Sequence, residues 1–172
     1  MKKLITSLLL STFILNSQAS EIQVGFSGGN SGTTAISIVL NAINSANQTI
    51  DVLAYSFSNK EIVRALIQAK QRGVKVRVIV DYNQNNKVYS GLTTVANAGI
   101  LAKTNNNYQD FHNKVMIIDN SCVETGSFNY SASAANKNAE NAIYFCDQSV
   151  ANQYSNQFNY WWNQGDSLKA NY

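Results

Sequence analysis

Short apolar runs separated by polar turns recur along most of the chain. Several of them alternate apolar with polar residues, or carry apolar residues in succession, as strands with one or two covered faces do. Six strands are predicted on this basis, at residues 22–26, 49–57, 74–81, 115–118, 122–125 and 139–146. The run VMII at 115–118 is apolar throughout, which predicts a strand covered on both faces.

Apolar residues at helical spacing predict helices between and after these strands. The predicted helices span residues 33–46, 61–72, 92–98 and 149–162. Ser58, followed three residues later by Glu61, forms a capping-box pattern for the second helix, and Gly73 ends it. The last helix carries an aromatic stripe that includes Trp161 and Trp162, and we expect this stripe to pack in the core.

The order of these elements predicts the fold class. Strand, helix and strand between residues 49 and 81 imply a right-handed parallel crossover. We therefore expect an α/β fold with a mixed, largely parallel central sheet flanked by helices on both faces. A chain of 172 residues is long enough for one domain with a full hydrophobic core and too short for two ordinary ones.

The N-terminus has the pattern of a secretory signal peptide. Lys2 and Lys3 precede an apolar run at 4–15, and the small residues Ser17 and Ala19 follow it. The run is shorter than the ~20 residues that a spanning helix needs, which favours cleavage over a retained membrane anchor. We expect residues 1–19 to be removed and residues 20–172 to form a single periplasmic or secreted domain without stable membrane association.

Charge gives little indication of a partner. The formal net charge of +3 falls to +1 when Lys2 and Lys3 are removed, so anion binding would require a local concentration of donors. The densest basic cluster consists of Lys70, Arg72, Lys75 and Arg77. A cluster of this size is more often a solvated helix end and strand edge than a nucleic-acid contact.

Cys122 and Cys146 both lie in the part of the chain that we expect to be exported, where an oxidising compartment permits a disulfide. A bridge between neighbouring strands and two buried free thiols are both open, and the compartment favours the bridge slightly. One histidine and two cysteines at this spacing do not form a zinc pattern.

The segment FHNKVMIIDNSCVETGSFNY contains the only histidine of the chain. Residues two apart on a strand point the same way, so His112 and Lys114 are expected to face one small target together. Ser127 and Asn129 are also two apart and follow Gly126, whose missing side chain would let backbone approach a ligand closely. These donors together predict a site for an anion with several oxygens, such as phosphate.

The joint spacing of these residues resembles the signature of the phospholipase D superfamily. HxK at 112–114, Asp119 after four residues and GSxN at 126–129 after six more match that signature without a gap or substitution. The chain also resembles the small exported bacterial endonucleases of the superfamily, with Glu140 as a weaker extension of the motif. The resemblance implies the phospholipase D-like α/β/α sandwich.

The resemblance also implies a two-step mechanism. His112 would attack phosphorus and form a covalent phosphohistidine, which water would then hydrolyse. Lys114, Ser127 and Asn129 would bind the non-bridging phosphate oxygens in the transition state. The scheme requires no metal and no other cofactor, because histidine takes the place of an activated water.

In this family a second histidine normally protonates the leaving oxygen, a contribution of roughly 10² to 10⁴ in rate. Since this chain carries one histidine, the resemblance implies a homodimer in which two copies contribute one His112 each near a two-fold axis. Glu140 would accept a hydrogen bond from the other ring nitrogen of His112. Asp119 would hold the site by hydrogen bonding without a direct part in the reaction.

The leading hypothesis is that the protein is a non-specific endonuclease. Its expected substrates are DNA and, in addition, RNA. The alternative is a phospholipase D or phosphatidyl transferase that acts on lipid head groups with the same chemistry. A third hypothesis is a nucleic-acid-binding module with an inactive site. The intact motif argues against this last hypothesis, because binding alone does not need the histidine.

Overall fold

The computed structural model describes residues 22–29, 32–85 and 90–168, so the predicted signal peptide lies outside the described residues. The strands are β1 Gln23–Ser27, β2 Thr49–Ala54, β3 Lys75–Asp81, β4 Leu101–Asn105, β5 Lys114–Ile118, β6 Cys122–Gly126, β7 Glu140–Cys146 and β8 Asp166–Ser167. The helices are α1 Ala35–Ser45, α2 Lys60–Gln71, α3 Tyr82–Asn85, α4 Gly91–Asn97, α5 Ala132–Asn136 and α6 Gln148–Gln164. No helix in these ranges is long and apolar enough to cross a membrane.

The strands form one mixed sheet in the order β1-β7-β6-β5-β2-β3-β4-β8. The sheet is mixed, which confirms the prediction. The prediction that it is largely parallel is wrong. Only β2, β3 and β4 pair in parallel, and the other five neighbouring pairs in the described chain are antiparallel. The reason lies in the connections: a few residues between β5 and β6 suffice for a hairpin but not for a parallel crossover.

Alternation along the strands divides the core between the two faces of the sheet. Val52 and Val78 point to the face covered by α1, α2 and α4, whereas Leu53 and Ile79 point to the face covered by α6. On α6 the ring of Phe158 is fully buried, with Trp161 and Trp162 partly buried beside it. The helices on both faces and the packed aromatic stripe therefore agree with the sequence analysis.

Four short elements were not predicted, namely α3, β4, α5 and β8. The start of α2 also differs from the prediction. Its N-cap is Asn59 and not Ser58, since the Asn59 side chain accepts hydrogen bonds from the backbone N–H groups of Glu61 and Ile62. The helix begins at Lys60, one residue before the predicted start at residue 61.

The two cysteines lie directly opposite each other on β6 and β7. Cys122 and Cys146 are register partners at one end of this strand pair, and they form a disulfide. Gly126 and Ala142 are partners at the other end of the same pair. The bridge therefore lies at the opposite end of β6 from the GSxN segment.

Candidate active site

One edge of the sheet collects most of the motif residues. The pairs Ala54–Lys114 and Gly126–Ala142 show that β2 and β6 end where β5 and β7 begin. Because β5 and β7 run antiparallel to their neighbours, side chains from four strands meet there. We call this edge the motif edge.

His112 and Lys114 are in contact at the motif edge. Lys114 Nζ lies 2.9 Å from Nδ1 and 3.1 Å from Nε2 of His112. The pair does not share a strand as predicted, because β5 begins at Lys114 and His112 belongs to the preceding connection. The imidazole of His112 is exposed, whereas Lys114 is buried. Burial lowers the pKa of Lys114, and the negative charge of Glu140, which raises this pKa, offsets only part of the effect. The ring is thus open to a substrate with a cation beside it.

Ser127 and Glu140 form a second group beside this pair. Ser127 Oγ donates to Glu140 Oε2 at 2.6 Å and accepts from the backbone N–H of Asn141 at 3.1 Å. Asn138 Nδ2 donates to Glu140 Oε1 at 2.8 Å. The predicted contact between Glu140 and His112 is absent from the described chain. Glu140 begins β7, which lies two strands and about 10 Å from β5 across the sheet. Ser127 directly follows β6, the strand between them, and is therefore nearer to Glu140 than His112 is.

Gly126 and Asn129 complete the GSxN segment. A Cβ atom at Gly126 would collide with the backbone oxygen of Asn141 on β7, so the pairing of β6 with β7 requires a glycine here. Asn129 Oδ1 is buried and has no hydrogen-bond partner among the described residues. The Asn129 carboxamide oxygen is therefore not committed to holding the fold.

Asp119 lies at the opposite edge of the sheet, at the far end of β5 and about 16 Å from Lys114. Its carboxylate accepts from the backbone N–H groups of Asn47, Gln48 and Thr49 at 2.9, 2.7 and 2.8 Å. Burial raises the pKa of Asp119, but these N–H groups outweigh it and leave the pKa below its usual range. Asp119 thus holds the start of β2 to the turn after β5 and takes no part in the group around His112.

Two residues that the sequence pattern did not identify, Tyr55 and Asp81, fix the position of His112. The ring of Tyr55 lies 4.5 Å from the imidazole between centroids, and its hydroxyl donates to Asp110 Oδ1 at 3.2 Å. The backbone N–H of Tyr55 also donates to the carbonyl of Asn113 at 2.7 Å. Tyr55 follows β2 directly, so its nearness to His112 depends on the pairing of β2 with β5, which the sequence pattern does not reveal.

Asp81 holds the same segment from the other side. This buried carboxylate ends β3, and its Oδ2 accepts from the backbone N–H of Phe111 at 2.9 Å. The Phe111 ring is buried and packs edge-on against Trp161 at 5.3 Å. A carboxylate directly after the apolar run VIV is the signal that could have identified Asp81.

A buried pair lies beneath the GSxN segment. Tyr130 donates through its hydroxyl to Glu124 Oε2 at 2.6 Å, and both side chains are almost fully buried. Burial raises the pKa of Glu124 to about 8 despite this hydrogen bond. The carbonyl of Tyr130 also accepts from the backbone N–H groups of Ser58 and Asn59, both at 2.9 Å. The segment between Glu124 and Tyr130 is therefore fixed at its two ends.

The family model for the cardiolipin synthase, phospholipase D-like domain matches residues 39–162. This chain belongs to the phospholipase D superfamily. The matched region contains every motif position and the residues around His112, so the motif edge is the candidate active site of a phospholipase D-like protein.

Individual relatives and one solved structure agree with this membership. A phospholipase D of Rickettsia conorii is 40% identical over 116 residues, which are 67% of this chain and 58% of that protein. The human mitochondrial cardiolipin hydrolase is 29% identical over 138 residues, 80% of this chain and 55% of that protein. This phospholipase D-like chain therefore spans just over half the length of these two relatives.

The crystal structure of Nuc from Salmonella typhimurium, a phospholipase D family member, is similar to the phospholipase D-like chain over nearly its whole length. The TM-score is 0.82 at 37% identity, and the match covers 88% of this chain and 99% of Nuc. The fold predicted from the motif resemblance is thereby confirmed.

Proposed function

We propose that this chain is a metal-independent phosphodiesterase, a non-specific endonuclease of DNA and RNA whose active site is shared by two copies. The observation that carries the proposal is the contact between His112 and Lys114 at the open motif edge, with Ser127 beside it. This arrangement offers one nucleophile together with a cation for phosphate oxygens, and the Ser127 hydroxyl becomes a further donor to them when it turns away from Glu140. We further propose that the protein acts in the periplasm or outside the cell.

The proposed reaction has two displacements at phosphorus. In the first, a ring nitrogen of His112 bonds to phosphorus as the bond to the leaving oxygen breaks, and the partner's His112 protonates that oxygen. In the second, water attacks phosphorus, gives a proton to the partner's His112, and the phosphorus–nitrogen bond breaks. Lys114 stabilises the negative charge on the non-bridging oxygens in both transition states.

An exposed apolar strip on the edge strand β1 supports contact between two copies. Val24 and Phe26 are 42% and 48% exposed, and both point away from α1. Phe26 is the register partner of Asn141, whose backbone N–H binds Ser127. The strip thus leads to the motif edge, and we propose that a second copy covers it.

Two observations bear on the substrate. The match covers almost the whole of Nuc, so it supports the resemblance to the small endonucleases that the motif indicates. This observation favours nucleic acid as the substrate. The names of the other relatives, phospholipase D and cardiolipin hydrolase, favour a lipid head group instead. The second candidate function is therefore hydrolysis of a phospholipid by the same residues.

The test compares substrates in excess EDTA. Purified protein without residues 1–19 is incubated with plasmid DNA, with RNA, and with vesicles of phosphatidylcholine or cardiolipin, and a His112→Ala variant is run in parallel. The proposal expects nicking of the plasmid by the wild type alone and no release of lipid head groups. Equal nicking by the variant, or a strict need for added metal, would overturn the mechanism. Cleavage of a lipid alone would move the assignment to the second candidate.

A further inference from the structure

A groove with a volume of about 1110 Å³ runs between α2 and α4 on the surface of the protein. One wall is a face of α2, the other belongs to α4, and residues of the connection between β2 and α2 line the groove where α2 begins. None of the motif residues lines it. The groove is therefore separate from the group of side chains around His112.

The end of the groove at this connection adjoins the candidate active site. Ser56 and Ser58 line this end and belong to the segment that begins at Tyr55, whose ring contacts His112. The backbone N–H of Ser58 binds the carbonyl of Tyr130, the residue after Asn129 of the motif. A polymer that is held at the motif edge can thus continue into the groove.

The described lining of the groove is basic. It includes Lys60 and Arg64 and contains no aspartate or glutamate. Both cations are exposed, and neither forms an ion pair within the described residues. They lie at positions i and i+4 of α2, so they share one face, and Gln68 and Gln71 continue that face along the groove. Two free cations followed by amide groups suit a ligand with repeated phosphates.

The length of this face also suits a polymer. The span from Lys60 to Gln71 covers eleven helical steps, about 16 Å. At ~3.4 Å per nucleotide along one strand of a B-form duplex, this length corresponds to about five nucleotides. Lys60 and Arg64 are separated by about 6 Å along the helix axis, which places two phosphates of one strand within their reach.

We infer that this groove holds the sugar-phosphate backbone of one nucleic-acid strand beyond the phosphodiester that is cleaved. The inference rests on the proposed nuclease function and adds a second binding region to it. Lys60 and Arg64 contact phosphates without touching the reacting atoms, so they set the affinity for long substrates and leave the chemical step unchanged.

Another basic region of the fold provides a matched control. Lys70 and Lys75 are exposed at the opposite edge of the sheet, in the basic cluster that is typical of a solvated helix end and strand edge. Their neighbour Arg77 is already paired with Asp51 at 2.6 Å. Replacing Lys70 and Lys75 removes the same charge as replacing Lys60 and Arg64, but far from the motif edge.

The experiment measures KM and kcat for two double variants, Lys60→Ala/Arg64→Ala and Lys70→Ala/Lys75→Ala. The substrates are a 30-nucleotide single strand and the small diester bis(p-nitrophenyl) phosphate. We expect the first variant to raise KM for the 30-mer at least tenfold, with kcat and hydrolysis of the small diester unchanged. For the first variant and the 30-mer, the logarithm of the binding constant falls less steeply with the logarithm of the salt concentration. The magnitude of this slope is smaller by about 1.4 than in the wild type, as the loss of two phosphate contacts requires. The second variant behaves like the wild type.

Three results would overturn the inference: an unchanged KM in the first variant, an equal rise in both variants, or an equal loss of activity on the small diester. A fourth result separates this inference from the proposed function. If the wild type hydrolyses the small diester but not the 30-mer, the nuclease assignment fails and the groove assignment fails with it. If the wild type cleaves the 30-mer and the first variant does so equally well, only the groove assignment fails.

Discussion

His112 combines an exposed ring with a backbone that is fixed from two sides. Tyr55 binds the carbonyl of Asn113 through its backbone N–H, and Asp81 binds the backbone N–H of Phe111. Positioning of this kind matters for nucleophilic attack, because a small displacement of the reacting atom costs much of the rate. The residues that hold His112 are therefore as testable as His112 itself.

The first prediction concerns Asp81. Asp81→Ala removes the acceptor for Phe111 and frees the segment that carries His112, so kcat is expected to fall roughly 10- to 100-fold with little change in KM. Asp81 Oδ1 also accepts from the backbone N–H of Gln84 at 2.8 Å, so Asp81→Asn, with one acceptor oxygen, serves only one of the two N–H groups and is expected to lose less activity than Asp81→Ala. Steady-state kinetics on bis(p-nitrophenyl) phosphate measure both variants. Equal kcat in Asp81→Ala and the wild type would show that Asp81 does not position His112.

The second prediction concerns the pH dependence of stability through Glu124. Its carboxyl titrates near 4.5 when exposed and near 8 in the fold, so the folded state binds more protons between these values. The contribution of Glu124 to the free energy of unfolding is therefore largest below pH 4.5. It falls by on the order of 4 kcal/mol as the pH rises to about 8. Glu124→Gln cannot ionise and is expected to lack this loss.

Urea denaturation of the wild type and of Glu124→Gln at pH 5, 6.5 and 8 measures this difference. The free energy of unfolding of the wild type should fall relative to that of the variant across the series. Parallel pH dependence of the two proteins would mean that Glu124 is not protonated in the fold at neutral pH.

At the scale of elements, β6 and β7 connect the disulfide to the motif edge. The third prediction is that Cys122→Ala/Cys146→Ala lowers the free energy of unfolding by about 3 kcal/mol, because the bridge closes a loop with a sequence separation of 24. The kcat at a temperature where the variant is folded should stay unchanged, since the bridge lies at the opposite end of β6 from Ser127. Urea denaturation and steady-state kinetics measure the two effects. A stability equal to that of the oxidised wild type would contradict this role of the bridge.

Local pattern was sufficient for the elements with long apolar periods. The run VMII predicts β5, and helical spacing predicts α1, α2 and α6, because side-chain burial in these segments repeats with the backbone period. The short β4, by contrast, has an exposed leucine and polar residues in the sequence LAKTN. It is a strand because β3 pairs with it, and pairing partners are not written in the local pattern.

The candidate site shows the same division. Spacing brought His112 and Lys114 together, but the motif resemblance assigned Glu140 to His112, whereas the fold gives it to Ser127 and Asn138. Which strand lies between two others decides that contact, and strand order is a property of the whole sheet. Tyr55 was missed for the same reason, whereas Asp81 had a local signal in its position directly after the apolar run VIV.

For the whole molecule, the central claim is that one reaction requires His112 from two copies. One chain supplies one imidazole, whereas the proposed displacement needs a nucleophile and a proton donor at the same time. The exposed strip on β1 offers a surface through which a second copy can approach the motif edge. The stoichiometry of histidines per active site is thus a direct consequence of the proposed mechanism.

The most direct measurement uses a heterodimer with one wild-type and one His112→Ala copy, purified through a different affinity tag on each chain. The account predicts that wild-type chains with the two tags purify together and cleave plasmid DNA in EDTA, whereas the heterodimer is at least ~100-fold less active. A heterodimer with half the activity of the wild type would contradict the account, because each copy would then carry a complete site. Active wild-type chains that do not purify together would contradict it equally.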